Sequence, residues 1–134
     1  MRLVLDTNVV ISAFLNPEGT PSQVLKLVLQ GKAELIVNSK ILTEYEKVMS
    51  RPKFSKYIDA KLPGRFISII KNIGVLFDPI PGNIKLFDES DRIFYDTAKN
   101  SNSILVSGNI KHFPKEPFIM LPGDFIRHLH DSIK

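Results

Sequence analysis

Five short apolar segments, separated by longer stretches with helical spacing, constrain the fold of this chain more than any other feature. Each is brief and almost free of polar side chains, which is typical of strands covered on both faces. Strands of this kind that alternate with helices predict a parallel sheet with helices on both sides. The predicted strands lie at residues 3–5, 34–37, 75–77, 104–106 and 118–121.

Helix signals fall between these segments. Ser39 suits the N-cap of a helix that runs to about Arg51. Pro63 and Gly64 predict a break, followed by a further helix that Gly74 ends. Because no repeat, low-complexity segment or linker interrupts the pattern, residues 1–134 are interpreted as one domain. The remaining helices are predicted at residues 7–15, 20–31 and 91–100 and after residue 123.

The composition is that of an ordinary globular protein, with 43% hydrophobic and 24% charged residues. There is no cysteine, so any metal must be held by oxygen or imidazole ligands. The first apolar stretch is too short for a signal peptide, and no run approaches the roughly 20 residues of a membrane span. A cytoplasmic location is therefore expected.

Charge is distributed unevenly along the chain, which has a formal net charge of +4. Several acidic residues follow predicted strands or occupy turns, whereas basic residues collect in the middle of the chain, from Arg51 to Lys71. Acids inside a basic surround suit a metal site that cuts a phosphate backbone. A solvated surface of mixed charge is the alternative interpretation.

Polar residues follow three of the predicted strands. Asp6 ends the first strand, Asn38 ends the second, and Ser107, Gly108 and Asn109 end the fourth. Ligands of parallel α/β sheets bind beyond the carboxyl ends of the strands. These residues are therefore expected at one edge of the sheet.

The acids near that edge each have a structural and a functional interpretation. Asp6 could cap the helix that follows it, although Asn8 could equally do so. Glu44 and Glu46 border the apolar stripe of their helix on opposite sides, and helical geometry does not choose between them. Asp91 suits the first turn of its helix, where the helix dipole favours an anion.

Three further acids lie near Asp91. Asp96 is five residues further along the same predicted helix, so the two share a face only loosely. It could join the site or simply face water. Asp88 and Glu89 are interpreted as loop acids.

Carboxylates brought together repel one another, by roughly 4 kcal/mol for two charges ~4 Å apart at an effective dielectric of 20. Protons or a cation must offset that cost. Oxygen ligands suit Mg²⁺ or Mn²⁺. A dication at such a site can activate water and stabilise charge on a phosphoryl group, which predicts phosphodiester hydrolysis without a covalent nucleophile.

Other catalytic classes lack their motifs. The chain has no phosphate-binding loop, no dinucleotide-binding glycine pattern and no nucleophile-elbow serine. His128 and His130 have no third ligand at a suitable spacing for zinc, and His112 is interpreted as a loop histidine.

Three motifs, in order along the chain, resemble those of one known family. They are LVLDTNVVISAF, SKILTEYEKVMSRPKF and DESDRIFYDTAKNSNSILVSGNIKHFP. Together they resemble the PIN domain, and within it the VapC-like toxins of toxin–antitoxin pairs. The resemblance covers essentially the whole chain and selects Glu44, rather than Glu46, as the second acid.

The resemblance implies a three-layer α/β/α sandwich around a parallel sheet of about five strands, and endonucleolytic cleavage of RNA. It implies a Mg²⁺ or Mn²⁺ site held by Asp6, Glu44 and Asp91. It also implies a homodimer and a small antitoxin protein as partner. The resemblance further implies that Thr7, Asn8 and Ser107, at the ends of strands one and four, support the site.

One position departs from the family pattern. Many members have an acid after the fourth strand where this chain has Asn109, and a second pattern places an acid where it has His112. Asn109 could still bind a metal through its carbonyl, or Asp96 could replace the missing acid. The fewer charges predict weaker metal binding.

Two other functions stay open. The chain could be a PIN-like module that binds RNA or a protein partner with little catalysis, because of Asn109. It could also be a small phosphatase built on the same carboxylate and metal chemistry. An aspartyl-phosphate mechanism favours a second Asp two residues after the first, and Asn8 stands there.

Overall fold

The computed structural model describes residues 1–132 and contains a five-stranded sheet whose strands all run parallel. Each strand coincides with a segment predicted from the apolar pattern, although the third and fifth are shorter than predicted. The strands are β1 (Arg2–Leu5), β2 (Glu34–Val37), β3 (Val75–Leu76), β4 (Ile104–Val106) and β5 (Ile119–Met120).

Helices cover both faces of the sheet, and the predicted three-layer α/β/α sandwich is confirmed. None of the helices in residues 1–132 has the length and apolar character needed to cross a bilayer. The α-helices of that range are α1 (Thr7–Leu15), α2 (Thr20–Leu29), α3 (Ser39–Met49), α4 (Leu62–Ile73), α5 (Arg92–Asn100) and α6 (Pro122–Ser132). Single 3₁₀ turns form at Pro52–Phe54, Glu89–Asp91 and Ile110–His112.

The central strand β1 is the most deeply buried part of the sheet. Leu3, Val4 and Leu5 are wholly inaccessible to solvent. Tyr45 of α3 is also fully buried, and its hydroxyl donates a 2.5 Å hydrogen bond to the Leu5 carbonyl oxygen. Phe94 of α5 stacks on the Tyr45 ring at 6.2 Å, so one tyrosine ties two helices to the carboxyl end of β1.

The strand order reverses at β1. The strands lie in the order β3-β2-β1-β4-β5, so the chain first builds outward from β1 and then returns to its other side. Asp6 N–H, directly after β1, donates to the Val106 carbonyl oxygen of β4 at 3.0 Å. The reversal places a crevice between the ends of β1 and β4, where parallel α/β folds bind ligands.

Asn38 joins three elements through one buried amide. Its Oδ1 accepts the Ile41 N–H at the start of α3, while its Nδ2 donates to Phe77 O and Thr97 Oγ1. Asn38, and not Ser39 as predicted, is therefore the N-cap of α3. The prediction was wrong because sequence cannot show that the amide also has buried partners on α5 and after β3.

Two other boundaries differ from the predictions. Pro63 and Gly64 lie inside α4, which begins at Leu62; proline is accepted there because first-turn N–H groups need no helical partner. Asp91 precedes α5 as the last residue of a 3₁₀ turn, so the helix proper begins at Arg92.

Asn38→Ala should lower the free energy of unfolding by about 2–4 kcal/mol. The change removes a helix cap and leaves the Phe77 carbonyl and Thr97 hydroxyl without this donor. Ser39→Ala, at the neighbouring exposed position, should change stability by less than ~0.5 kcal/mol. Urea unfolding of both variants measures the difference, and equal effects would contradict the assignment of Asn38 as the cap.

Candidate functional site

An open cleft of about 380 Å³ lies beyond the carboxyl ends of β1 and β4. We call it the acidic cleft because four carboxylates line it, those of Asp6, Glu44, Asp88 and Asp91. Asn109 and His112, which follow β4, line it as well, and so does the basic side chain of Arg51.

Asp6 is the most buried of these acids, with 6% of its surface exposed. It occupies the N-cap position of α1, yet its side chain makes no capping hydrogen bond. Ser107 Oγ donates to Asp6 Oδ2 at 2.7 Å, and Asn109 N–H donates to Ser107 Oγ at 3.0 Å. Burial raises the pKa of Asp6, while Ser107 and the nearby backbone N–H groups of Thr7 and Asn8 act to lower it.

The two residues after Asp6 also face this junction. Asn8 Oδ1 accepts the Gly108 N–H at 3.2 Å, which ties α1 to the end of β4. Thr7 Oγ1 is buried and, within residues 1–132, has no hydrogen-bond partner. A buried polar atom without a partner is costly, so a hydroxyl beside Asp6 in the cleft suits contact with a bound polar group or ion.

The structure separates the two glutamates that helical geometry left undecided. Glu44 is half-buried and lines the acidic cleft. Glu46 is exposed and lines a different groove, beside Leu42 and Lys71. The placement of Glu44 agrees with the choice that the family resemblance made.

Asp91 is half-buried where the Glu89–Asp91 turn meets α5. Its pKa is raised to about 6, mainly by burial and then by the negative charges of Asp6, Asp88 and Glu44. His112 acts in the opposite direction. The carboxylates of the cleft therefore interact electrostatically although they come from different elements.

Asp96 is not brought to the acidic cleft. Its Oδ2 accepts the Gly82 N–H at 3.0 Å, and its Oδ1 lies 3.6 Å from an Arg92 guanidinium nitrogen. A Cβ on Gly82 would lie only 2.9 Å from Asp96 Oδ1, so a larger residue there would displace the carboxylate. Asp96 holds the loop before α5 and does not occupy the position of the missing fourth acid.

Asp88, which the sequence predicts to be a loop acid, lines the acidic cleft. One of its oxygens, Oδ1, accepts the Ser90 N–H at 2.9 Å, which lowers its pKa. Its position three residues before Asp91, about one helical turn, was the only available signal. Asp88, rather than Asp96, is the fourth carboxylate beside Asp6, Glu44 and Asp91.

The donor types that line the acidic cleft suit a hard dication. Its ligating atoms would be carboxylate oxygens, with the amide of Asn109 nearby, as Mg²⁺ and Mn²⁺ prefer. However, within residues 1–132 no three acidic or histidine side chains are arranged to hold one ion. That Asp6, Glu44 and Asp91 come within joint reach of one cation therefore stays a prediction.

Comparisons with known proteins agree with this fold. A family model described as PIN domain matches residues 2–111. A protein of Methanocaldococcus jannaschii, named Uncharacterized protein MJ1680, is 30% identical over 112 residues, which cover 81% of this chain and 71% of that protein. The crystal structure of VapBC2 from Rickettsia felis, bound to a DNA fragment from their promoter, contains a similar chain with a TM-score of 0.58. The two chains are 20% identical, and the match covers 90% of this chain and 97% of the other. By the extent of the family match, this chain belongs to the PIN-domain family.

Proposed function

We propose that this protein is a metal-dependent endoribonuclease that hydrolyses RNA phosphodiesters at the acidic cleft. The observation that carries the proposal is the convergence of Asp6, Glu44 and Asp91 on one open cleft at the strand-order reversal. Nuclease activity is general in the PIN-domain family, which supports hydrolysis of a nucleic acid.

The electrostatics of the cleft favour a bound cation. A carboxylate with a raised pKa is destabilised in its charged form, and both Asp6 and Asp91 have raised pKa values. The causes are burial for both acids and, for Asp91, neighbouring negative charge as well. A divalent cation would offset both costs, since it supplies positive charge where the side chains have lost water.

Asp6, Glu44 and Asp91 would hold the metal. Glu44 is half-exposed on α3 and has three rotatable side-chain bonds, so its carboxylate can turn toward Asp6. Repulsion opposes that approach for the carboxylates alone, and a cation removes it. When bound, Mg²⁺ or Mn²⁺ supplies the Lewis acidity needed for phosphodiester hydrolysis.

Other residues of the cleft would position the acids and the substrate. Ser107 donates to Asp6 Oδ2 and thereby orients its carboxylate. Asn8 holds the end of β4 against α1 through Gly108. Arg51 lines the cleft with its charged side chain exposed, where it can bind an RNA phosphate.

A role as the toxin of a toxin–antitoxin pair is part of the proposal. Its support is the family resemblance and the similar fold in the VapBC2 structure. A homodimer is also implied by the resemblance. Ile69 and Ile73, four residues apart on α4, are each nearly half-exposed and offer an apolar contact for it. Light scattering at tens of micromolar distinguishes monomer from dimer.

A second function is favoured by one residue. Asn109 stands in the cleft where many family members have an acid, which removes one negative charge from the set. If that loss abolishes metal binding, the protein is an RNA- or partner-binding module with little catalysis.

Asp6→Asn should lower the rate of RNA cleavage by about 100-fold or more, because even changes beside direct metal ligands cost 10–100-fold. Glu44→Gln should lower it by at least about tenfold. Glu46→Gln is the matched control, two residues away on the same helix but outside the cleft, and should cleave at the wild-type rate. Cleavage of a labelled RNA in Mg²⁺ or Mn²⁺, with chelation as the blank, measures all three.

Three outcomes would contradict the proposal: wild-type cleavage by Asp6→Asn, equal effects of the two glutamate variants, or activity that survives chelation. The first and last would place any activity elsewhere. The second would remove the distinction between cleft and groove on which the Glu44 assignment depends.

Asn109→Asp should lower the Mn²⁺ concentration needed for half-maximal rate by roughly tenfold, because it adds a carboxylate to the cleft. Asn72→Asp, an exposed change on α4, adds the same charge away from the cleft and should have no effect. A metal titration of the cleavage rate compares the two variants. Unchanged metal dependence in Asn109→Asp would show that this position is not near the cation.

The raised pKa of Asp91 should appear in the pH dependence of stability. Its pKa moves from 3.8 to about 6 on folding, so the stability that protonation contributes is complete below pH 3.8 and is lost as pH rises through 6. Without added metal, Asp91→Asn should therefore melt about 4 °C above wild type at pH 7. At pH 4 the variant and the wild type should have the same Tm. A Tm difference independent of pH would contradict the raised pKa.

A further inference from the structure

Phe87 is exposed beside the acidic cleft. It is 81% exposed, the highest value among the large hydrophobic residues of the described chain. Its ring stacks on His112, with centroids 4.9 Å apart and an angle of 29° between the planes. Because His112 lines the acidic cleft with Asp6 and Asp91, the Phe87 ring lies next to the site of the proposed reaction.

The backbone on both sides of Phe87 is held in place. Leu86 is buried in the hydrophobic core, with 5% exposed. Asp88 accepts the Ser90 N–H and begins the Glu89–Asp91 turn. The phenyl ring is thus presented to solvent from a fixed position, with one face against His112 and the other open.

We propose that Phe87 is a stacking platform for an unpaired base of single-stranded RNA whose backbone crosses the acidic cleft. The proposal rests on the proposed function for its substrate. Aromatic rings bind bases of any sequence through their faces, and splayed single-stranded bases can reach such a ring. A base on the open face of Phe87 would extend the stack that Phe87 and His112 already form.

Two exposed lysines close in sequence to the stacked rings favour a nucleic acid as the occupant. Lys85 lies two residues before Phe87, Lys111 precedes His112, and both are exposed. Exposed cations together with an exposed aromatic ring bind single-stranded nucleic acids through phosphates and base faces. A protein partner would cover the same ring through apolar contact, and the test below separates the two.

The platform sets a preference for single strands. A base in a duplex is already stacked on both faces, so it has no free face for Phe87. The preference would depend on the unpaired state of one nucleotide next to the cleaved bond and only weakly on its identity.

Binding is measured with a short RNA that carries 2-aminopurine, whose fluorescence falls when it stacks. The protein carries Asp6→Asn and the buffer contains EDTA, so that the RNA stays intact. Phe87→Ala should weaken binding by about tenfold and abolish the quenching. Phe87→Trp should retain both, and Tyr57→Ala is the matched control, since Tyr57 is 67% exposed but outside the cleft.

The same substitutions in the otherwise wild-type protein test the consequence for cleavage. With single-stranded RNA, Phe87→Ala should raise KM about tenfold at nearly constant kcat, and with a duplex it should change neither. Unchanged RNA affinity and quenching in Phe87→Ala would overturn the proposal. So would a Phe87→Ala effect confined to self-association in light scattering, which would assign the ring to a protein contact.

The outcomes also separate this proposal from the proposed function. Quenching that depends on Phe87, in a protein that never cleaves RNA, would support the platform and refute the nuclease. Metal-dependent cleavage that does not change in Phe87→Ala would support the nuclease and refute the platform.

Discussion

The structure depends on the parallel pairing of β1 with β4, two strands about a hundred residues apart in the chain. This pairing joins the two halves of the sheet where the strand order reverses. It also places Ser107 Oγ 2.7 Å from Asp6 Oδ2. Neither residue has a functional position without it. The register pairs the buried residues Leu5 and Val106, and the polar residues that follow each of them therefore come together.

The apolar core that positions the site also makes the charged form of Asp6 costly. Asp6 follows three wholly buried residues and is itself only 6% exposed. A charged group there is costly, and burial therefore raises the pKa of Asp6. The hydrogen bond from Ser107 and those from the Thr7 and Asn8 backbone N–H groups offset part of that cost. The fold thus keeps a poorly solvated acid at the one edge of the sheet where a ligand can reach it.

The strands and the order of the acids along the chain followed from sequence, because apolar runs and strand ends are local features. Long-range contacts did not. Glu44 and Glu46 border the same apolar stripe, and only the packing of α3 against the sheet decides which one faces the cleft. Asp96 shares a helix face with Asp91 only loosely, and sequence left its role open; its partner is Gly82, in a loop whose path no local pattern indicated.

The buried amide of Asn38 connects the helix that carries Glu44 to the helix that follows Asp91, since it caps α3 and donates to Thr97 of α5. The positions of Glu44 and Asp91 therefore both depend on the hydrogen bonds of Asn38, although no hydrogen bond joins Asn38 to either acid. Random mutagenesis with selection for loss of function is expected to return substitutions at Asn38 and Thr97 together with substitutions at the acids. To distinguish the two groups, the folding of every isolate would have to be measured, because the phenotype alone would make a structural residue look like a catalytic one.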